Sequence, residues 1–432
     1  MAQRIYNTRS DKVETLSAVG GNRIKMYVCG PTVYDLPHVG HARSYVFFDV
    51  VRRHLASIGL DVTYQQNFTD IDEKITAKGL ALARDPLKVA EEYIAEFLAD
   101  MDLLKVARAQ IYSRSSEHVS EIIAVTQQLV DRGAAYAAGT FVYFDHTKAK
   151  TWGSLTHQDI RKMIAKEAKD PASRKRSLLD FALWQEAKPG DPTWDSPWGR
   201  GKPGWHIECY VMSREHLGHP MDIKGGGRDL IYPHHESEAA ICEVLTRKPY
   251  ARFFMHNGFV TIADIKMSKS LRNIVTVREA LSHVPPGVMR LWLLSEPYRE
   301  TIAWKGDCLV KATARYEKMV AALARLRAWG EKLPDGASPV LKPQEVPRKQ
   351  VGDLEGFEAR YRRAMENDFD TRAAIEALEG TLALGAAVVA DRKVAEKVKG
   401  VVAMIALRAA RAMDETLQIL EWGGPDEAKP EG

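Results

Sequence analysis

His38-Val39-Gly40-His41 stands between a short apolar run and a stretch of helical periodicity. Imidazoles at a helix start can donate to phosphate oxygens, and the positive end of the helix dipole adds to that attraction. Gly40 lets a nucleotide approach the backbone closely. Taken alone, two histidines three apart suit a structural or metal-binding role equally well. A second run, Lys266-Met267-Ser268-Lys269-Ser270, sets two lysines around small polar residues. On a loop they can meet a polyphosphate and offset the charge that develops as pyrophosphate leaves. In isolation such a run also reads as solvated surface. The third set is Cys29, Cys209, His234 and Glu238. His234 and Glu238 are four apart and would share one face of a helix. Two thiols complete a sulfur, sulfur, nitrogen, oxygen set of the kind zinc accepts. Spacing does not single out these four, because His235, Glu236 and Cys242 are rivals and a lone cysteine is commonly a small buried hydrophobe.

The elements that must position these residues follow from periodicity. Residues 24–29 read as a short buried strand ending in a Gly-Pro turn at Gly30 and Pro31. Residues 40–58 have helical spacing, with Ala42, Val46, Phe47, Val50, Val51 and Leu55 on one face. A strand is expected over 61–67. Strand, helix, strand opens a parallel α/β sheet, in which ligands bind beyond the strands' carboxyl ends. No GxGxxG follows the first strand, so the dinucleotide-binding version has no support. Helices are expected over 86–104 and 117–132, and a strand over 139–145 in a smaller inserted subdomain. Trp184, Trp194, Trp198 and Trp205, among prolines and glycines, mark an irregular packed region. Alternating strand and helix resumes over 204–304. Prolines among polar residues over 329–349 read as a linker, and 354–384 and 393–420 carry amphipathic helical patterns.

The chain has 432 residues, 45% hydrophobic and 27% charged, with a net charge of +4. Such composition is that of ordinary globular domains, and the charge permits a nucleic-acid partner without arguing for one. A basic run of Arg161, Lys162, Lys166, Lys169, Arg174, Lys175 and Arg176 reads as a solvated loop, or as a contact to phosphates. The four cysteines, Cys29, Cys209, Cys242 and Cys308, are too few and scattered for a disulfide framework, which favours a reducing compartment. The first ten residues are polar, unlike a signal peptide, and no run of about twenty apolar residues appears. A cytoplasmic location is expected.

The His38–His41 and Lys266–Ser270 runs, in this order and this far apart, resemble the paired signatures of class I aminoacyl-tRNA synthetases. Met26-Tyr27-Val28-Cys29-Gly30-Pro31-Thr32-Val33-Tyr34-Asp35 resembles the opening of bacterial-type cysteinyl-tRNA synthetases. So do Asn67-Phe68-Thr69-Asp70-Ile71-Asp72, Gly204-Trp205-His206-Ile207-Glu208-Cys209, and Gly225-Gly226-Gly227 through Pro233-His234-His235-Glu236. The likeness runs from about Tyr6 to Leu420. It implies an α/β fold: a Rossmann-like parallel sheet with an inserted subdomain and a C-terminal helical bundle. The expected layout is 1–111 for the first half of the catalytic domain, 112–200 for the insertion, and 201–330 for the second half with the Lys266–Ser270 loop. A linker over 331–350, a helical bundle over 351–422 and a disordered tail over 423–432 complete it. The resemblance further implies one zinc per chain on Cys29, Cys209, His234 and Glu238, and a cysteine pocket lined by Thr69 and Trp205. ATP, with Mg2+, is expected to meet His38, Gly40, His41, Lys266 and Lys269. The expected activity is activation of cysteine to cysteinyl-adenylate and its transfer to tRNA, through the acceptor stem, by a monomer.

Some positions depart from the family pattern, which usually has glycine at Arg272, serine at Arg228 and asparagine at Ser237. Family members also generally continue into an anticodon-reading domain, whereas this chain stops soon after Glu421-Trp422-Gly423-Gly424, so that domain is expected to be missing. Two other functions stay open at this point. Mycothiol-pathway cysteine ligases resemble synthetases and pass the adenylate to a small amine, with shared zinc and ATP motifs. An inactive regulatory paralogue should have lost phosphate and zinc residues, and those are intact.

Overall fold

A computed structural model describes residues 2–18, 20–157, 174–262, 265–267, 273–330 and 347–422. The 331–346 part of the expected linker, the 423–432 tail, Lys269, Arg272, and Arg161, Lys162, Lys166 and Lys169 of the basic run lie outside these residues.

The N-terminal hairpin Arg4–Asn7 (β1) and Lys12–Thr15 (β2) leads into Arg23–Val28 (β3), Val39–Ser57 (α1) and Asp61–Phe68 (β4). Glu73–Leu82 (α2) and Pro86–Leu103 (α3) then cross to Ile111–Arg114 (β5). Asp85 accepts hydrogen bonds from the Leu87 and Lys88 amides and Pro86 fills the first turn, so α3 starts where its unpaired donors are satisfied. After Val119–Asp131 (α4) comes an insertion of Ala135–Ala138 (β6), Phe141–Phe144 (β7), Phe181–Glu186 (β8) and Gly201–Pro203 (β9), paired antiparallel in that order. The insertion's sheet thus runs past residue 200, the expected boundary, because β9 pairs with β8 through Trp184 and Pro203. Trp205–His216 (α5), Met221–Gly227 (β10), Glu236–Thr246 (α6) and Ala251–Asn257 (β11) return the chain to the main sheet.

That sheet has the order β11-β10-β3-β4-β5, and its paired strands are all parallel. Ile24, Met26, Tyr27 and Val28 are fully buried on β3, as expected of a parallel strand covered on both faces. From β3 the chain winds one way to β4 and β5, and later returns to β10 on the other side of β3. The crevice beyond the carboxyl ends of β3 and β10 is therefore the topological switch point, where such sheets bind ligands. Val260–Ile262 (β12), Ile265–Lys266 (β13) and Ile302–Trp304 (β14) form a small adjoining sheet, with Val277–Leu281 (α7) and Pro286–Leu293 (α8) between.

The helical region comprises Cys308–Gly330 (α9), Arg348–Glu366 (α10), Thr371–Ala390 (α11) and Glu396–Leu417 (α12). Helix α9, expected with the catalytic half, packs on α11 and α12. The single pattern read over 354–384 is two helices. Asp368 and Phe369 take left-handed backbone angles between them, and the Asp370 side chain caps α11. Phe369 is fully buried, and Asp368 accepts hydrogen bonds from the Tyr6 amide at 2.8 Å and the Tyr298 hydroxyl at 3.0 Å. A break invisible to periodicity is thus a tether to β1. By length and composition α11 is apolar enough to cross a membrane, yet Ala374, Ile375, Leu378 and Leu382 are fully buried in the bundle.

Candidate active site

Cys29 is the residue after β3, and a short loop carries the chain to His38, the N-cap of α1. His38 Nδ1 accepts from the His41 amide at 3.3 Å, and His41 Nδ1 accepts from the His38 amide at 3.2 Å. The two rings stack with centroids 3.8 Å apart. Accepting at Nδ1 leaves each neutral ring its proton on Nε2. Both rings therefore cap the helix and present an N–H edge, and both line a cavity of about 370 Å³ at the switch point. Gly40 faces the same cavity, and a Cβ there would lie 2.8 Å from the His38 ring. Gly30 is required more strictly: a Cβ on it would fall 1.5 Å from the Asn67 carbonyl oxygen, where β3 and β4 end side by side.

Deeper in, four donors converge. Cys29, Cys209, His234 and Glu238 each offer one ligand atom, and these atoms lie within 4.8 Å of one another, all buried. Cys209 comes from the first turns of α5 and Glu238 from α6, while His234 sits in an irregular turn just before α6. The pair expected on one helical face is thus split between turn and helix, with His234 Nε2 3.4 Å from Glu238 Oε1. The two sulfurs are 3.8 Å apart. That is far beyond a disulfide bond, and it is the edge of a tetrahedron with metal–sulfur bonds of about 2.3 Å. Burial, then His206 and Lys224, holds His234 well below the usual histidine range, so it is a neutral ring with a lone pair to give. Burial, then the neighbouring Cys29, pushes the Cys209 thiol well up. Burial also raises Glu238, against the pull of Lys224. A divalent cation reverses these carboxyl and thiol penalties, so the donor set fits one.

The rivals have other partners. Glu236 accepts from the amides of Gly153, Leu155 and Thr156 at 3.0, 3.0 and 2.9 Å, and so binds the insertion to α6. Cys242 sits 3.5 Å from Thr246 Oγ1, and burial pushes its thiol up to about 11. His235 Nε2 does reach Cys29 Sγ at 3.3 Å, but its other nitrogen is 2.8 Å from His256 Nε2.

Thr69 and Trp205 line the same cavity as the cysteine pair and the α1 histidines. Asn67 aligns this wall, accepting from the Gly30 amide at 2.8 Å and donating to Thr69 Oγ1 at 3.4 Å. The Trp205 ring stacks on His234 with centroids 4.5 Å apart and planes 13° from parallel. Across the mouth, Lys266 Nζ lies 2.7 Å from Asp229 Oδ2, a carboxylate with which an incoming polyphosphate would compete. Of the departing positions, Ser237 donates to the Pro233 carbonyl at 2.7 Å, which steadies the turn carrying His234. Arg228 donates to the Arg299 carbonyl. In the insertion, the Arg176 guanidinium lies over the Tyr136 ring at 3.9 Å.

Periodicity and spacing did not reveal Lys224, His206 or Asp229. Lys224 is fully buried and 2.9 Å from Glu238, and His206 Nδ1 is 3.1 Å from His234 Nδ1. The available signal was a lysine inside the strand Met221-Asp222-Ile223-Lys224-Gly225, where a charge needs a partner.

Residues 15–314 match the family described as tRNA synthetases class I (C) catalytic domain. A cysteine–tRNA ligase of Aquifex aeolicus is 42% identical over 381 residues, covering 87% of this chain and 75% of the relative. One of Heliobacterium modesticaldum is 43% identical over 386 residues, covering 88% and 78%. Among solved structures, Mycobacterium tuberculosis methionyl-tRNA synthetase with methionyl-adenylate superimposes with a TM-score of 0.67 at 14% identity, covering 92% of this chain and 91% of that one. The fold and these identities agree: the chain belongs to the cysteine–tRNA ligase family of class I tRNA synthetases.

Proposed function

We propose that this protein activates cysteine with ATP and transfers it to tRNA, with a zinc ion selecting the substrate. The observation that carries this reading is one cavity lined both by the α1 histidines and by Cys29, Cys209 and His234, three members of the buried cluster that Glu238 completes. Cys29, Cys209, His234 and Glu238 would hold a zinc ion, and that ion would supply a borderline-soft Lewis acid that favours a substrate's sulfur over the oxygen of nearly isosteric serine. Thr69 and Trp205 wall the amino-acid pocket and orient the substrate carboxylate toward the nucleotide. That carboxylate attacks the ATP α-phosphorus, forming cysteinyl-adenylate as pyrophosphate leaves. It is already ionised, so no general base is needed.

His38 and His41 donate Nε2–H to phosphate oxygens, aided by the α1 dipole. Lys266 and Lys269, with Mg2+, offset charge on the departing pyrophosphate. Rate enhancement comes mostly from positioning and charge stabilisation. A tRNA hydroxyl then takes the cysteinyl group and AMP leaves.

The test measures cysteine-dependent pyrophosphate exchange alongside transfer of labelled cysteine to total tRNA. Exchange with charging is expected, with serine at least about a hundredfold poorer. Exchange without charging would move the acceptor to a small amine, and absence of exchange would overturn the reading.

A further inference from the structure

Lys224 is a charged residue in the middle of β10 with no exposure to solvent. Its Nζ lies 2.9 Å from both carboxylate oxygens of Glu238 and 3.4 Å from the Tyr250 hydroxyl. The rings of Tyr27 and Tyr250 lie 4.2 and 5.3 Å from it, so the ammonium is enclosed by π faces and one carboxylate. An ammonium has donors only and cannot ligate a metal. Burying one is costly unless it is paired, so its place beside a donor of the metal cluster demands a reason.

Charge counting supplies that reason. Two thiolates and a carboxylate bring three negative charges to a divalent ion, and ligands must be deprotonated to bind. The centre would be left with one excess negative charge in a buried site. We propose that Lys224 is a positioning residue of the metal centre: it fixes the Glu238 carboxylate and supplies the positive charge that balances the three anionic donors. Glu238 is thereby held as an acceptor by β10 while α6 carries its backbone. With that balance a substrate thiolate brings the centre to one excess negative charge, whereas without Lys224 it would bring it to two. This assignment rests on the zinc reading above.

Three proteins test it: the wild type, Lys224→Met, which removes charge and hydrogen bond, and Lys224→Gln, which keeps length and a donor but no charge. Zinc content after dialysis and affinity by chelator competition are read first, with thermal unfolding as the check on folding. Wild type should hold one zinc. Both variants should bind it about tenfold to a hundredfold more weakly, the range seen when an outer-shell partner is lost. In the cobalt-substituted protein, the cysteine concentration that half-develops the thiolate-to-metal absorption should rise about tenfold, one pK unit of lost compensation. If Lys224→Met does not fold, Lys224→Gln is decisive on its own.

Wild-type metal affinity and an unchanged cobalt titration in a folded variant would overturn the role of Lys224 and leave the zinc reading standing. A wild-type protein that retains no zinc would overturn both. Weakened binding in Lys224→Met with wild-type binding in Lys224→Gln would overturn charge balance.

Discussion

At the scale of single residues, the centre is governed by what burial does to ionisable groups. Cys209 is almost fully buried and its thiol is held well above its usual range, first by burial and then by Cys29. Only a cation makes it a thiolate at neutral pH. Cys209→Ser should therefore lose zinc affinity by more than the about tenfold that an outer-shell loss costs, and cysteine-dependent pyrophosphate exchange should fall with it. Full exchange in a zinc-free variant would remove the metal from the reaction.

His54 shows the same physics without a metal. Its Nε2 lies 3.0 Å from Gln3 Oε1, its Nδ1 has no hydrogen-bond partner among the described residues, and burial lowers it to about 4. The unfolded chain, near 6.5, then binds more protons between those two values, so stability present above pH 6.5 is lost as pH falls toward 4. His54 alone should cost about 2 kcal/mol between pH 7 and pH 5. Urea unfolding of His54→Gln should show that much less loss over the interval.

At the scale of elements, α1 begins with a reciprocal cap of two histidines whose rings line the cavity. Alanine at position 40 suits a helix better than glycine by up to about 1 kcal/mol. Its Cβ would nonetheless strike the His38 ring at 2.8 Å. Gly40→Ala should then keep or raise the melting temperature while lowering pyrophosphate exchange about tenfold to a hundredfold, the cost of displacing a catalytic group by roughly 1 Å. A variant with unchanged exchange would show that the His38 ring is not aimed at the reaction. Here the glycine serves the site at the expense of the helix.

At the scale of the molecule, one buried side chain ties the helical bundle to helices of the catalytic part. Arg290 on α8 donates to the Leu417 carbonyl at 2.9 Å and the Leu104 carbonyl at 2.8 Å, and meets Asp49 Oδ2 at 3.1 Å. It ties the end of α12, the end of α3 and the middle of α1 at one point. Arg290→Met would orphan two buried carbonyls and take one of the cations from buried Asp49, whose Oδ2 would keep Arg53 Nε at 2.9 Å, so it should destabilise by about 3 kcal/mol. Equilibrium urea unfolding measures this, and limited proteolysis should release the bundle first. Loss of less than about 1 kcal/mol would mean that the bundle docks through its apolar faces alone.

Helix α1, strands β3 and β4, and helices α3 and α4 were legible to within a few residues, because the helices each have a long apolar face with one period and the strands are short runs bounded by turn residues or helices. Residue types and spacing also offered a helix start suited to phosphate, though equally to a structural or metal role, and a pool of soft ligands. They did not choose among His234, His235, Glu236 and Cys242, since neighbours in sequence differ only in which way a turn points them. The irregular turn before α6 decided that, sending Glu236 to the insertion's amides and His234 toward the two sulfurs. Nor does any local pattern forecast that Lys224, from another strand, is buried against Glu238. Hydrophobic period reports what a segment covers, and it is silent on which distant segments cover it. That pairing, like the break at Asp368 that tethers β1, was decided only when the sheet order brought β10 beside β3 and the bundle against the sheet.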